Sequence, residues 1–242
     1  MERRTLNLEH RTLNMKTISV VIPARNERDG IEKTIRAIPK DELERMGYEV
    51  QILVVDNDSN DGTGELARKA GAEVVFEPRL GYGSAYKAGF AHARGDIIAT
   101  MDADMTYPVE DIPKFMKLLE EQNLDFITTN RYAYMEKGAM SSQHRLGNAI
   151  LNLVARLLFQ ISLKDSQSGM WVFRKAILNN TVLKANSMAL SEELKIEAIY
   201  FLRCRWKEMP IQYRVRVGKV KLRTWKDGFG NLFYLIKKRV VR

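Results

Sequence analysis

The feature that most constrains this chain is a set of five short apolar segments separated by stretches with helical spacing. TISVVIP (17–23), VQILVVD (50–56), AEVVF (72–76), DIIATMD (96–102) and LDFITT (124–129) are rich in β-branched residues and lack the strict polar alternation of a half-exposed strand. Such runs read as strands covered on both faces. Between them the apolar positions take a helical period, as in Ile31, Ile35 and Ile38, then Leu66 and Ala70, then Ala85, Ala88 and Ala91, and later Ile112, Phe115, Met116 and Leu119. Strand and helix in steady alternation imply right-handed crossovers and an α/β fold with a mainly parallel central sheet flanked by helices. In such sheets ligands bind beyond the carboxyl ends of the strands, so the residues after each strand carry the functional information.

The pattern changes after residue 130. His144 to Leu163 reads as one long helix whose apolar positions Leu146, Ile150, Leu153, Leu157 and Ile161 are widened by Leu151, Val154 and Leu158. A short WVFR strand, a helix near Ser191 to Arg203 and a basic strand around Ile211 to Val217 are expected next. The last segment groups Phe229, Leu232, Phe233, Leu235 and Ile236 ahead of Lys237, Lys238 and Arg239. No internal repeat or low-complexity linker divides the chain. The expected organisation is a polar lead-in (1–16), one domain (17–224) and a basic amphipathic C-terminal helix (225–242).

Composition narrows the function. At 45% hydrophobic residues, 242 residues support one sizeable core and exclude a disordered or collagen-like chain. The net charge of +9 is uneven: residues 203–242 hold thirteen basic side chains against Glu208 and Asp227, a net +11, which leaves −2 for residues 1–202. A lone Cys204 forbids an internal disulfide or a multi-cysteine zinc site and suits a reducing compartment. The opening MERRTLNLEHRTLNMK lacks the apolar core of a secretory signal. Ala149 to Leu163, interrupted by Asn152, Arg156 and Gln160, is too short to span a bilayer. Basic charge alone is also the footprint of nucleic-acid binding, but acids at the strand ends are wrong for a phosphate-backbone groove, and no nucleic acid partner is expected.

Those acids are the chemical signal. The first strand closes with Pro23, Ala24, Asn26 and Glu27; the second with Asp56, Asp58, Asp61 and Gly62; the fourth with Asp102, Ala103 and Asp104. Turn preference alone explains the second group as well as a ligand does. The fourth is harder to dismiss, because two carboxylates one residue apart repel unless solvated or neutralised by a cation. A hard divalent ion, Mg²⁺ or Mn²⁺, resolves the repulsion and is commonly shared between carboxylates and substrate phosphates. His10, His92 and His144 form no transition-metal cluster. Gly81-Tyr82-Gly83 starts like a dinucleotide fingerprint, but its third glycine position falls on Tyr86 and the loop follows the third strand, so hydride transfer is disfavoured. Gly81 to Ala85 are instead expected to line the same pocket as the acids.

Taken in order, PARNE, VVDNDSNDGT, LGYGSAYKAGF, GDIIATMDADMTYP, NRY, DSQSGM and PIQYRVRVGKVKL resemble the family 2 inverting glycosyltransferases of the GT-A, Rossmann-like fold. Within that family the chain looks most like the dolichyl-phosphate and polyprenyl-phosphate sugar synthases. The resemblance covers residues 17 to about 229. It implies that Pro23, Ala24, Glu27, Asp56, Asp58, Gly83, Asp102, Ala103 and Asp104 bind a nucleotide-sugar donor. It places a metal at Asp102, Asp104 and Thr106, and makes Asp102, Asp104, Arg131 and Arg145 catalytic. Arg145, Ser168, Arg216, Lys219 and Lys221 are then the acceptor-phosphate residues, while Glu192, Glu193 and Glu197 fall where the family has an acidic helix.

The implied reaction is inverting, metal-dependent transfer of a sugar to dolichyl or polyprenyl phosphate. Mannosyl-type members often carry Gln two residues after the second Asp, where this chain has Thr106, so UDP-glucose or UDP-N-acetylglucosamine is expected at least as readily as GDP-mannose. A lipid phosphate is already anionic and needs no strong base, whereas transfer to a glycan hydroxyl, the alternative, needs one. Such an enzyme is expected as a peripheral protein on the cytoplasmic face of a membrane, with an oligomer left open. The segment from Trp225 would lie at the interface, with Lys237, Lys238, Arg239 and Arg242 interchangeable among anionic headgroups, while the helix from His144 reads equally as a second interfacial element or as ordinary core or a dimer interface.

Overall fold

The computed structural model describes residues 16–218 and 224–241, so Lys219, Lys221, Arg242 and nearly all of the lead-in lie outside the described residues. Among the described residues seven strands form one sheet: β1 (Lys16–Ala24), β2 (Tyr48–Asp56), β3 (Glu73–Phe76), β4 (Ile97–Thr100), β5 (Phe126–Met135), β6 (Trp171–Arg174) and β7 (Trp206–Tyr213). Their order is β3-β2-β1-β4-β6-β5-β7, with β6 antiparallel to both neighbours and every other pair parallel. Lys16 pairs with Tyr48, so the strand begins one residue inside the expected lead-in.

The continuous apolar runs have a simple cause: alternate residues serve two cores. Val20, Ile22, Val54, Ala99, Ile127 and Val172 face one side, where they meet α1 (Ile31–Ala37), α2 (Lys40–Arg45), α3 (Thr63–Lys69) and α5 (Ile112–Glu121). Val21, Val55, Ile98, Phe126, Trp171 and Phe173 face the other, against α4 (Tyr82–His92), α6 (Ser142–Phe159), α7 (Leu190–Ile196) and Leu235 of α8 (Thr224–Val240). Each large side chain removed from water in this way contributes roughly 1.5–3 kcal/mol. β3 is the exception, an edge strand whose Phe76 is exposed.

Several boundaries differ from expectation. The long helix runs from Ser142 to Phe159, started by the Ser141 hydroxyl accepting from His144 N and ended by Gln160 at φ 52°, so Ile161 and Leu163 pack from a loop. β5 outruns LDFITT because β7 continues to pair with it as far as Met135, across an irregularity between Asn130 and Tyr134. The helix expected over 191–203 splits into α7 and a π-helical turn, Glu197–Phe201. The basic strand ends at Tyr213. Residues 214–217 instead bond to the loop after β4, through Arg214 N to Thr106 O (3.0 Å) and Val217 N to Asp104 O (2.9 Å). The C-terminal segment is a helix, as expected, but it is built into the domain: Asn231, Leu235 and Lys238 are buried.

Candidate active site

Two loops beyond the parallel strands brace each other. Asn26, at φ 53°, donates its N–H to Ser59 Oγ (3.0 Å) and accepts from Asn60 N through its side chain (2.9 Å). Glu27 N donates to Thr63 Oγ1 (2.8 Å), and Arg28 N to Asp61 Oδ2 (3.2 Å). Burial would raise the Asp61 pKa, but the hydrogen bonds from Thr63 and Arg28 outweigh it and the carboxyl is held below its usual value. Asp56 Oδ1 likewise accepts from Ser59 N (3.0 Å). Much of the acid in VVDNDSNDGT is therefore turn chemistry. Asn57, which sequence reading passed over, is the buried hub: its amide donates to the carbonyls of Glu77 and Arg79 and its Oδ1 accepts from Gly81 N.

The braced loops surround a cavity of about 630 Å³. Pro23, Ala24, Asn26 and Glu27 come from beyond β1, Asn57 from beyond β2, Gly81, Tyr82 and Ala85 from the start of α4, and Asp102, Ala103 and Asp104 from beyond β4. Asp56, Asp58 and Gly83 do not line it. Asp58 is exposed, and Gly83 is held by its N–H to Asn186 O (3.0 Å), where a Cβ would collide with the Ala185 carbonyl. A close approach matters also at Gly169, whose missing Cβ leaves room for the Tyr82 hydroxyl next to Asp102.

The two acids beyond β4 are not equivalent. Asp104 is buried and accepts from Thr106 N (3.1 Å) and Thr106 Oγ1 (2.6 Å) on one oxygen, while its other oxygen lies 3.1 Å from Arg216 Nη1. Asp102 has its pKa pushed up to about 7, first by burial and then by the charge of Asp104. Excess negative charge in a partly dry cleft with hard oxygen donors fits a divalent cation. Among the described residues no group of three or more His, Cys, Asp or Glu forms a complete protein cage. Asp102 and Asp104 are the hard oxygen donors present for such an ion, short of a complete set.

A second cavity, about 420 Å³, adjoins the first, and Asp104, Met188 and Arg216 line both. Its other walls include Thr106, Arg131 and Tyr213, the first turns of α6 (Ser141, His144, Gly147, Asn148), Gln167, and Gly228 and Asn231 of α8. Arg131 is buried, and its fork is engaged by Asp165 through Nε (2.7 Å) and Nη2 (2.9 Å), with the Tyr213 ring 5.4 Å away. Burial pushes the Asp165 carboxyl up, but the Arg131 guanidinium holds it below its usual pKa. Asp165 thus orients Arg131, a role its motif did not reveal.

The loop carrying Asp165 rests on buried charge. Lys195, fully buried, donates to Ser166 O (2.7 Å), Ser168 O (2.6 Å) and Ser191 Oγ (3.1 Å), and burial pushes its pKa down to about 7. Ser168 is itself buried, its hydroxyl 2.6 Å from Thr129 Oγ1, and lines neither cavity. Arg145 is exposed and lines neither cavity, unlike its neighbour His144. Arg216, expected at the acceptor, is ion-paired to Glu27 and Asp104 where the cavities meet.

The three acids that sequence could not rank separate cleanly. Glu192 accepts from Gln167 Nε2 beside the second cavity, and burial pushes its pKa up to about 8. Glu193 and Glu197 turn the other way, to Lys238 of α8 at 3.1 and 2.6 Å. Lys238 also donates to Val182 O (2.9 Å) and is buried, so it cannot be one of four interchangeable headgroup contacts.

Comparison with known proteins agrees with this architecture. A low-salt glycan biosynthesis hexosyltransferase of Haloferax volcanii is 32% identical over 91% of this chain and 53% of its own length, so the chain spans about half of that relative. A dolichyl-phosphate hexose transferase of the same organism is 32% identical over 87% of this chain and 89% of its own. Among solved structures, glucosyl-3-phosphoglycerate synthase from Mycobacterium tuberculosis, crystallised with Mn²⁺, UDP-glucose and phosphoglyceric acid, superposes with a TM-score of 0.72. It covers 96% of this chain and 82% of its own at 22% identity, a likeness of fold. Residues 19–181, more than half of the chain, match the family model for Glycosyl transferase family 2, and the chain belongs to that family.

Proposed function

We propose that the chain transfers a hexose from a nucleoside diphosphate sugar in the first cavity to a polyprenyl or dolichyl phosphate in the second, with inversion at C1. The observation that carries this reading is the shared wall: a carboxylate-lined cavity and an arginine-flanked cavity meet at Asp104 and Arg216. Asp102 and Asp104 would hold Mg²⁺ or Mn²⁺, whose charge stabilises the departing diphosphate. Arg131, held rigid by Asp165, offers its remaining N–H groups to an acceptor phosphate, for which guanidinium geometry is well suited. An anionic phosphate oxygen attacks without a strong base. Relatives named for hexose transfer in glycan biosynthesis and on dolichyl phosphate support the choice of substrates.

The lipid would arrive from a membrane surface. Among the described residues no helix is long and apolar enough to cross a membrane. Instead Leu146, Ile150, Leu153 and Leu157 on α6 and Phe229, Phe233, Ile236 and Val240 on α8 are each about half or more exposed, at spacings of four, three and four residues. The two helices that supply walls of the second cavity thus turn apolar stripes outward, beside Lys237 and Arg239. This is the pattern of an interfacial surface.

The test is transfer of labelled sugar from UDP-glucose, UDP-N-acetylglucosamine and GDP-mannose, with Mg²⁺ or Mn²⁺, to a short polyprenyl phosphate. A β-linked lipid product is expected, lost by on the order of 10³-fold in Asp104→Ala. Retention of configuration, or transfer only to a sugar hydroxyl, would overturn the reading.

A further inference from the structure

Arg216 occupies the position of a cation. One of its Nη atoms pairs with Glu27, the other lies 3.1 Å from Asp104 Oδ2, and the side chain lines both cavities. Its Nε is buried and has no hydrogen-bond partner among the described residues, so the guanidinium is held by charge at one end only. The backbone around it is tied to the loop after β4 by the bonds of Arg214 and Val217, which leaves the side chain as the movable part.

A guanidinium and a divalent ion compete for the same carboxylate oxygens. The dication has the higher charge density and gains further ligands from a diphosphate. Once it takes Asp104, it repels Arg216, whose freed Nη1 then needs an anion besides Glu27. The neighbouring cavity, already flanked by Arg131, is where an anion would satisfy it.

We propose that Arg216 is the resident counter-ion of Asp104 and Glu27, that a divalent ion binding at Asp104 displaces it, and that the displaced guanidinium turns into the second cavity to hold the incoming phosphate. Loading the donor site thereby arms the acceptor site. The inference rests on the proposed function for the identity of the anion; the displacement concerns only metal and arginine. By linkage, metal and anion must each raise the other's affinity.

The test measures Mn²⁺ binding by electron paramagnetic resonance, and geranyl phosphate and inorganic phosphate binding by calorimetry with and without Mn²⁺ and UDP. Wild type and Arg216→Gln are compared at matched thermal stability. In wild type, Mn²⁺ with UDP is expected to tighten anion binding by about tenfold. In Arg216→Gln, Mn²⁺ alone binds about tenfold tighter than in wild type, and the anion coupling disappears. Unchanged Mn²⁺ affinity overturns the proposal. So does tighter Mn²⁺ binding with the coupling intact, since a static arginine would repel the ion without carrying the anion. Coupling seen with inorganic phosphate but not geranyl phosphate would support the displacement while sinking the lipid acceptor.

Discussion

The two halves of the sheet build their cavities by opposite means. The first side, β1 to β4 with their following loops, keeps its carboxylates at the ends of parallel strands and fixes the loops with short-range turns and backbone donors. The other side, from β5 onward, relies on buried charges paired across distant parts of the chain: Asp165 holds Arg131, Lys195 lies beneath the 166–168 loop, and Lys238 separately ties α8 to Glu193 and Glu197. The lesson is energetic. A turn that loses one hydrogen bond costs about 1 kcal/mol, whereas a buried charge that loses its partner costs about 3–5 kcal/mol.

The contrast is most exposed at Asp165. Asp165→Ala leaves Arg131 buried without its carboxylate partner, and urea unfolding is expected to show a loss of about 3–5 kcal/mol. Asp61→Ala, in the turns that follow β2, should lose only about 1–2 kcal/mol. Equal losses would erase the distinction between the halves.

A smaller effect separates adjacent lysines on α8. Lys238→Met removes the ammonium faced by Glu193 and Glu197 and should cost roughly 3 kcal/mol. Lys237→Met, exposed one residue earlier, should stay within about 0.5 kcal/mol. If both variants melt alike, α8 is not anchored by its buried charge.

Glu192 adds a pH signature to the second half. Its folded pKa of about 8 lies above its ordinary value, so between roughly pH 4.5 and 8 the folded state holds a proton that the unfolded state has released. Stability from this group is full below that window and falls as pH rises through it, with a slope of up to about 1.4 kcal/mol per pH unit. Lys195 acts oppositely: its depressed pKa of about 7 makes stability rise from there toward its ordinary value near 10.5. Glu192→Gln should flatten the profile between pH 5 and 7, followed by thermal melts across that range.

The smallest expected change in folding accompanies a large one in location. Phe233 is 70% exposed on α8, so Phe233→Ser should leave unfolding within about 0.5 kcal/mol. Flotation with anionic liposomes should drop by about tenfold if the ring enters the bilayer boundary. Unchanged flotation would remove this face from the membrane account.

How much of the site could be read in advance follows the same division. Glu27, Asp102 and Asp104 were visible because they directly follow apolar strands, and the sheet carries those positions to one edge. Asn57 escaped notice because a turn asparagine looks the same in sequence whether it faces solvent or organises a loop. Gln167 and Asn231, bonded to each other at 3.0 Å across 64 positions, have no local signature at all.

The sequence by itself determined the layered α/β sheet, its mainly parallel character and the acids at its rim, because apolar periodicity and strand-end position are local properties. It also marked the C-terminal charge excess. Only the tertiary structure decided what each charge does: Arg216 with Glu27 and Asp104, Lys238 buried among acids, Lys237 and Arg239 outward. A charge is a property of a residue, but its partner and its burial are set by segments that meet only after folding.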